Sequence, residues 1–159
     1  LAEIEWKGVV WRAAYGDHSV KDLLTILKGF GPMEIVEFEK PGCFRGEISL
    51  ALTPEGKKQI TLYHLEVLGP KRKGQGRMAL QWLKATFREG EVHVEDPGKA
   101  ARANSDADDT LFFWIRMFRE GIIDALCSDR CILNHPMTAE DLDEVEQRLR
   151  NGLVDRSVP

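Results

Sequence analysis

The chain has 159 residues, 43% of them hydrophobic and 30% charged. That composition fits one soluble globular domain and excludes a disordered or fibrous polymer. Twenty-two Lys and Arg against 26 Asp and Glu give a net charge of −4. This argues against a nucleic-acid partner, which favours a basic domain, and no apolar run is long enough to span a bilayer.

Ile4 to Ala13, rich in Val and Trp, reads as a strand. Ser19 with Asp22 three residues on forms a capping-box pattern. Val20, Leu23, Leu24 and Leu27 then recur at helical spacing until Gly29. Met33 to Glu39 is a second strand, broken by Pro41-Gly42. Glu47 to Thr53 alternates in polarity, Pro54 to Lys57 is a turn, and Gln59 to Val67 returns as an antiparallel hairpin partner. Strict alternation along the returning strand would put Ile60, Leu62, His64 and Glu66 on one face and Thr61, Tyr63, Leu65 and Val67 on the other.

Lys71-Arg72-Lys73-Gly74-Gln75-Gly76-Arg77 follows this strand and opens the amphipathic helix Met78 to Arg88. Ala79, Leu80, Leu83 and Phe87 face the sheet, and Arg77, Gln81, Lys84 and Arg88 form the polar stripe. Glu91 to Glu95 is a short strand, so strand, helix and strand make a parallel crossover. Lys99 to Asp109 reads as irregular. Leu111, Phe112, Ile115 and Phe118 mark a helix ending at Gly121, and Ile122 to Leu126 a short strand. Thr138 and Asp141 cap a last helix carried by Leu142, Val145 and Leu149 and closed by Gly152. No repeat or linker interrupts the chain, so residues 1–159 read as a single domain with a loose tail at 155–159.

Cys43, Cys127 and Cys131 do not make a disulfide framework, and with no signal-peptide pattern at the start they point to a reducing, cytoplasmic setting. Cys127, Cys131 and His135 fall short of the four ligands of a structural zinc site, so no metal is expected.

The basic loop is where chemistry concentrates. A helix N-terminus offers unpaired N–H groups and partial positive charge. Gly74 and Gly76 let a ligand approach the backbone, and Lys71, Arg72, Lys73 and Arg77 add cations. A phosphate ligand follows. The mononucleotide P-loop fails, because Gln75 and Gly76 stand where Lys and Ser/Thr are required. The dinucleotide fingerprint is met literally by Gly74, Gly76 and Ala79, with Glu95 about 20 residues on. Gly69 to Lys73, however, intervene between the strand and the first glycine.

From Leu65 to Gly76, Leu-Glu-Val-Leu-Gly-Pro-Lys-Arg-Lys-Gly-Gln-Gly resembles motif A of the GNAT acetyltransferase superfamily. Phe112 to Ile122 is similar to that family's penultimate helix, and the likeness covers roughly residues 4 to 126. The resemblance implies a mixed, mostly antiparallel central sheet flanked by helices, with the C-terminal helix as a departure from the usual two closing strands. It implies acetyl-CoA as acyl donor and transfer to an amine of a small molecule or protein. Gly74, Gln75, Gly76 and Arg77 would hold the pyrophosphate, Lys71, Arg72 or Lys73 the 3′-phosphate, and the N–H of Val67 or Leu68 the thioester carbonyl. A primary ammonium of pKa near 10.4 must lose a proton before attack, costing about 4–5 kcal/mol at neutral pH. His64 and Glu66 are the candidate general bases. The family's Lys71 slot is more often Arg or Gln, its acid Tyr falls on Met117 and its Asn on Thr110. A non-catalytic acyl-CoA-binding or regulatory module and a dinucleotide-binding domain are the alternatives. A homodimer is compatible with the sequence.

Overall fold

The computed structural model describes residues 2–13, 18–29, 34–69, 74–88, 90–95 and 106–157. Among these residues eight strands form one sheet in chain order: β1 (Glu3–Trp6), β2 (Val9–Ala13), β3 (Glu34–Lys40), β4 (Phe44–Leu52), β5 (Lys58–Val67), β6 (Glu91–Glu95), β7 (Ala125–Cys127) and β8 (Ile132–Leu133). β1 through β5 pair antiparallel, β5 with β6 and β6 with β7 are parallel, and β7 with β8 is antiparallel. Among the described residues there are also four helices: α1 (Val20–Gly29), α2 (Gln75–Thr86), α3 (Asp106–Arg119) and α4 (Ala139–Ser157). The expected mixed, mostly antiparallel α/β architecture is therefore present.

The expected first strand is a hairpin. Lys7 and Gly8 both take positive φ, 57° and 77°, the backbone of a tight two-residue turn between twisted strands. Lys-Gly is a weaker turn signal than Asn-Gly, so periodicity alone does not divide Ile4 to Ala13 into two strands. β8 adds the second closing strand that was read as missing. Residues 155–157, expected to be loose, are the last residues of α4, which runs past Gly152.

One sheet face is apolar. Trp11, Val36, Phe38, Phe44, Ile48, Leu50, Ile60, Leu62, Val92, Val94, Leu126 and Leu133 are all buried there. Helix α2 packs on it through Ala79, Leu80 and Leu83. Trp82 stacks within 5.6–5.7 Å of Trp11, Phe38 and Phe44. Burying aromatic rings of this size contributes about 1.5–3 kcal/mol each, so this cluster fixes α2 against the strands. Lys84 on α2 bonds Asp124 at 2.9 Å. Asp124 in turn accepts from the Val92 N–H and donates its own N–H to the Val92 carbonyl. The start of β6 and the turn after α3 are thereby tied together.

The other face is polar, and a bulge decides what it carries. Glu47 pairs with His64, and the next residue, Ile48, pairs with Leu62. Tyr63 is the extra residue. A bulge of one residue exchanges the faces beyond it. Ile60 and Leu62 point into the core, whereas His64 and Glu66 turn to the polar face beside Glu47 and Arg45. This corrects the expectation that Ile60, Leu62, His64 and Glu66 share one face.

Candidate functional site

β5 outlasts its neighbour. Its pairing with β6 covers Gln59 to Leu62, yet the strand continues to Val67. Among the described residues, the β6 side of residues 63–67 has no strand partner. Leu68 donates its N–H to the Cys43 carbonyl at 2.9 Å, on the β4 side. N–H direction alternates along a strand, so the Val67 N–H points away from β4. Of the two amides expected to meet an acyl carbonyl, Leu68 is engaged by Cys43, and that of Val67 points away from β4 to the side where no described strand pairs with it.

The next described element in the chain is the start of α2. Gly74 is its N-cap, exposed, with φ 72° and no side-chain cap. Its carbonyl accepts the Met78 N–H at 3.0 Å. No acidic residue sits in the first turn. Among the described residues, no bond is recorded from the main-chain nitrogens of Gly74, Gln75, Gly76 and Arg77 to another part of the chain. The glycines on either side of this turn are close approaches. A Cβ on Gly69 would lie 2.7 Å from the Gln75 amide, and one on Gly76 would lie 3.1 Å from the Phe113 ring of α3. Gln75 thus packs its side-chain amide against Gly69, and its buried Oε1 has no hydrogen-bond partner among the described residues.

Arg77 does not stand free beside these amides. Both of its terminal nitrogens bond the Glu120 carboxylate, and hydrogen bonding within this pair raises the Arg77 pKa and lowers that of Glu120. Lys71, Arg72 and Lys73 lie outside the described residues, as do Tyr15 and Asp96 and the side chains of Asp106, Asp108, Asp109 and Thr110.

The two candidate bases sit on the polar face of β5. Arg45 Nε donates to Glu66 Oε2 at 2.8 Å, and His64 Nε2 lies 3.7 Å from the same oxygen. The Arg45 bond holds the Glu66 carboxyl below its ordinary pKa, with smaller help from the charges of Arg45 and His64. Glu66 is therefore a stably ionised, weak base. An open cavity of about 320 Å³ lies over these groups, bordered also by Arg12, Glu37 and Glu47.

Met117 is 1% exposed, so the position that resembles the family's acid Tyr is a core residue. Tyr63, at the bulge, shares a 3.0 Å hydrogen bond with Ser49, which is buried on β4. Sequence reasoning overlooked this pair, and also Arg45, Glu120 and Gly46. Gly46 carried a readable signal: a glycine inside a strand marks a close approach. A Cβ there would collide with the His64 carbonyl and the Phe38 ring.

Among the described residues, no group of three or more His, Cys, Asp or Glu is placed to hold a metal ion, and no helix is long and apolar enough to cross a membrane. No protein-family model, curated protein or solved structure matches the chain.

Proposed function

We propose that the chain is an acyl-CoA-dependent N-acyltransferase, moving an acetyl group from coenzyme A to an amine, in a cytoplasmic setting that keeps its three free cysteines reduced. The observation that carries this reading is the Val67 N–H turned away from β4, where no described strand pairs with β5, followed in the chain by the glycine-capped start of α2. An unpaired strand edge suits an extended, amide-containing chain, and a glycine-opened helix start suits a diphosphate. Both features occur in one ligand, the coenzyme A thioester.

Acyl-CoA supplies a thioester carbonyl that an amine attacks. The Val67 N–H stabilises the negative charge growing on that carbonyl oxygen. The amides of Gly74 to Arg77 hold the diphosphate, and Lys71 to Lys73 supply positive charge for a 3′-phosphate. His64 takes the amine proton as the new C–N bond forms, and the C–S bond then breaks to release thiolate. Arg45 keeps Glu66 ionised, so Glu66 serves to stabilise a protonated His64 rather than to accept the proton itself. The departing thiolate needs no acid in the Met117 position, because it is a tolerable leaving group.

Calorimetry with coenzyme A and acetyl-CoA tests the binding half, and thiol release with a panel of amines tests transfer. Absence of binding to both coenzyme A and acetyl-CoA would overturn the reading. The buried Met117 favours a second reading, a non-catalytic acyl-CoA-binding module, which acceptor-dependent thiol release would eliminate. The dinucleotide alternative draws no support from the sheet, since that class is built on a mostly parallel sheet and here only two pairings are parallel.

A further inference from the structure

The cavity of about 320 Å³ over His64 is where the acceptor amine of the proposed reaction must sit, and its charges bear on what that acceptor is. Strand register sets them in two rows. Arg12 pairs with Glu37, Glu37 with Glu47 and Glu47 with His64, across β2 to β5. Beside them Glu39 pairs with Arg45, and Arg45 with Glu66. Phe38 and Gly46, which complete the border, are buried between the rows. Four carboxylates thus share the cavity with two guanidiniums.

Both guanidiniums are already engaged. Arg12 lies 3.2 Å from Glu3 and 4.0 Å from Glu39, and Arg45 donates to Glu66 at 2.8 Å. Glu37 and Glu47 are left. Each is half-buried, and among the described residues neither carboxylate takes part in a hydrogen bond or an ion pair. Like charges directly opposite on neighbouring strands destabilise a sheet, and partial burial strengthens the repulsion. A cation lying between the two carboxylates relieves it. Neighbouring strands are about 4.8 Å apart, so that cation sits about 7 Å along the row from His64, the nitrogen–nitrogen reach of an extended aliphatic diamine of about four or five carbons.

We propose that this row selects the acceptor: an aliphatic diamine or polyamine binds with one amine beside His64 and a second, protonated amine between Glu37 and Glu47. The transfer step rests on the acyltransferase reading, whereas the binding of the diamine does not. Both amines arrive protonated at neutral pH, since a primary ammonium has a pKa near 10.4. The amine at His64 gives up its proton and takes the acyl group. The far amine keeps its proton throughout, so Glu37 and Glu47 determine specificity without entering the chemistry. A monoamine brings only one charge to the row and leaves the carboxylate pair unrelieved.

Calorimetry on the full chain, with and without coenzyme A, tests the proposal using diaminobutane and butylamine as probes. The diamine is expected to bind at least about tenfold more tightly than the monoamine, by a margin that narrows as salt is added. Glu37→Gln and Glu47→Gln each remove most of that margin, and the double variant removes all of it. Because the repulsion is gone, each variant is expected to melt at or above the wild-type temperature, which separates lost binding from lost folding. Diaminobutane bound no more tightly than butylamine overturns the proposal, as does a preference that survives in the double variant. Magnesium that displaces the diamine at equal concentration overturns it as well, by assigning the carboxylate pair to a metal ion. Diamine preference without coenzyme A binding supports the row and removes the acyltransferase reading alone. Coenzyme A binding without diamine preference does the reverse.

Discussion

Arg77, in the first turn of α2, and Glu120, just beyond α3, grip each other with both guanidinium nitrogens and both carboxylate oxygens. The pair fastens the two helices together at the mouth of the proposed diphosphate site. It also neutralises the one cation among the described residues that the first turn of α2 contributes. An incoming diphosphate competes with Glu120 for Arg77. Glu120→Gln removes the competitor, since an amide accepts more weakly than a carboxylate. Calorimetry is expected to show coenzyme A binding about three- to tenfold tighter in this variant at low salt, with the advantage fading as ionic strength rises. Arg77→Ala is expected to weaken binding. Tighter binding in both variants would mean that Arg77 obstructs the site.

The unequal surroundings of His64 and Glu66 divide their roles. Glu66 is held ionised by Arg45, and a carboxylate stabilised in its charged form is a poor proton acceptor. His64→Gln is therefore expected to lower kcat by about 10²–10⁴-fold, the range for losing a general base. Glu66→Gln is expected to cost less than about tenfold. Steady-state thiol release across pH measures both. An equal loss in the two variants would assign the proton to Glu66 instead.

Local patterns and long-range consequences were legible to different degrees. The capping residues Ser19 and Thr138, the β4–β5 hairpin, the buried stripe of α2 and the β5–α2–β6 crossover all follow from side-chain periodicity and turn chemistry, which are encoded within a few residues. The bulge at Tyr63 is different. A single extra residue leaves the alternation Ile60, Leu62, His64, Glu66 intact on paper, and only pairing with Glu47 and Ile48 reveals the exchange of faces. The Arg45–Glu66 and Arg77–Glu120 pairs join residues 21 and 43 positions apart, separations at which no spacing rule operates. The site's backbone elements were therefore readable before its electrostatics were.

Gly46 makes a test of the bulge itself. A methyl group at this position meets the His64 carbonyl and, at 2.7 Å, the Phe38 ring. Neither neighbour moves easily, because one is backbone and the other is packed against Trp11, Phe44 and Trp82. Gly46→Ala is expected to destabilise the fold by about 1–3 kcal/mol, the usual penalty of overpacking a core. Urea denaturation measures it. If His64 is the base, residual activity in the folded fraction should fall as well, since relief of the collision displaces the strand that carries it.

Acid should loosen the helices at their starts before the sheet yields. Ser19 Oγ accepts from the Asp22 N–H at 3.1 Å while Asp22 accepts from the Ser19 N–H at 3.2 Å, and Thr138 and Asp141 repeat the exchange. The backbone bond to Ser19 is the main cause of the lowered Asp22 pKa, and that to Thr138 of the lowered Asp141 pKa. A carboxyl whose folded pKa is depressed binds protons more readily in the unfolded chain. Its stabilising contribution is thus complete above the unfolded value near 3.9 and disappears as pH falls through the lower folded value. Thermal melts followed by circular dichroism should accordingly stay level from neutral pH down to about 5 and drop below about 4. Thr138→Ala is expected to cost about 1 kcal/mol at neutral pH. It should also flatten part of the acid limb, because Asp141 loses the hydroxyl that helps keep it ionised. A melt that is as acid-sensitive in Thr138→Ala as in the wild type would place the origin of the acid response elsewhere, with the Arg77–Glu120 pair the next to be tested.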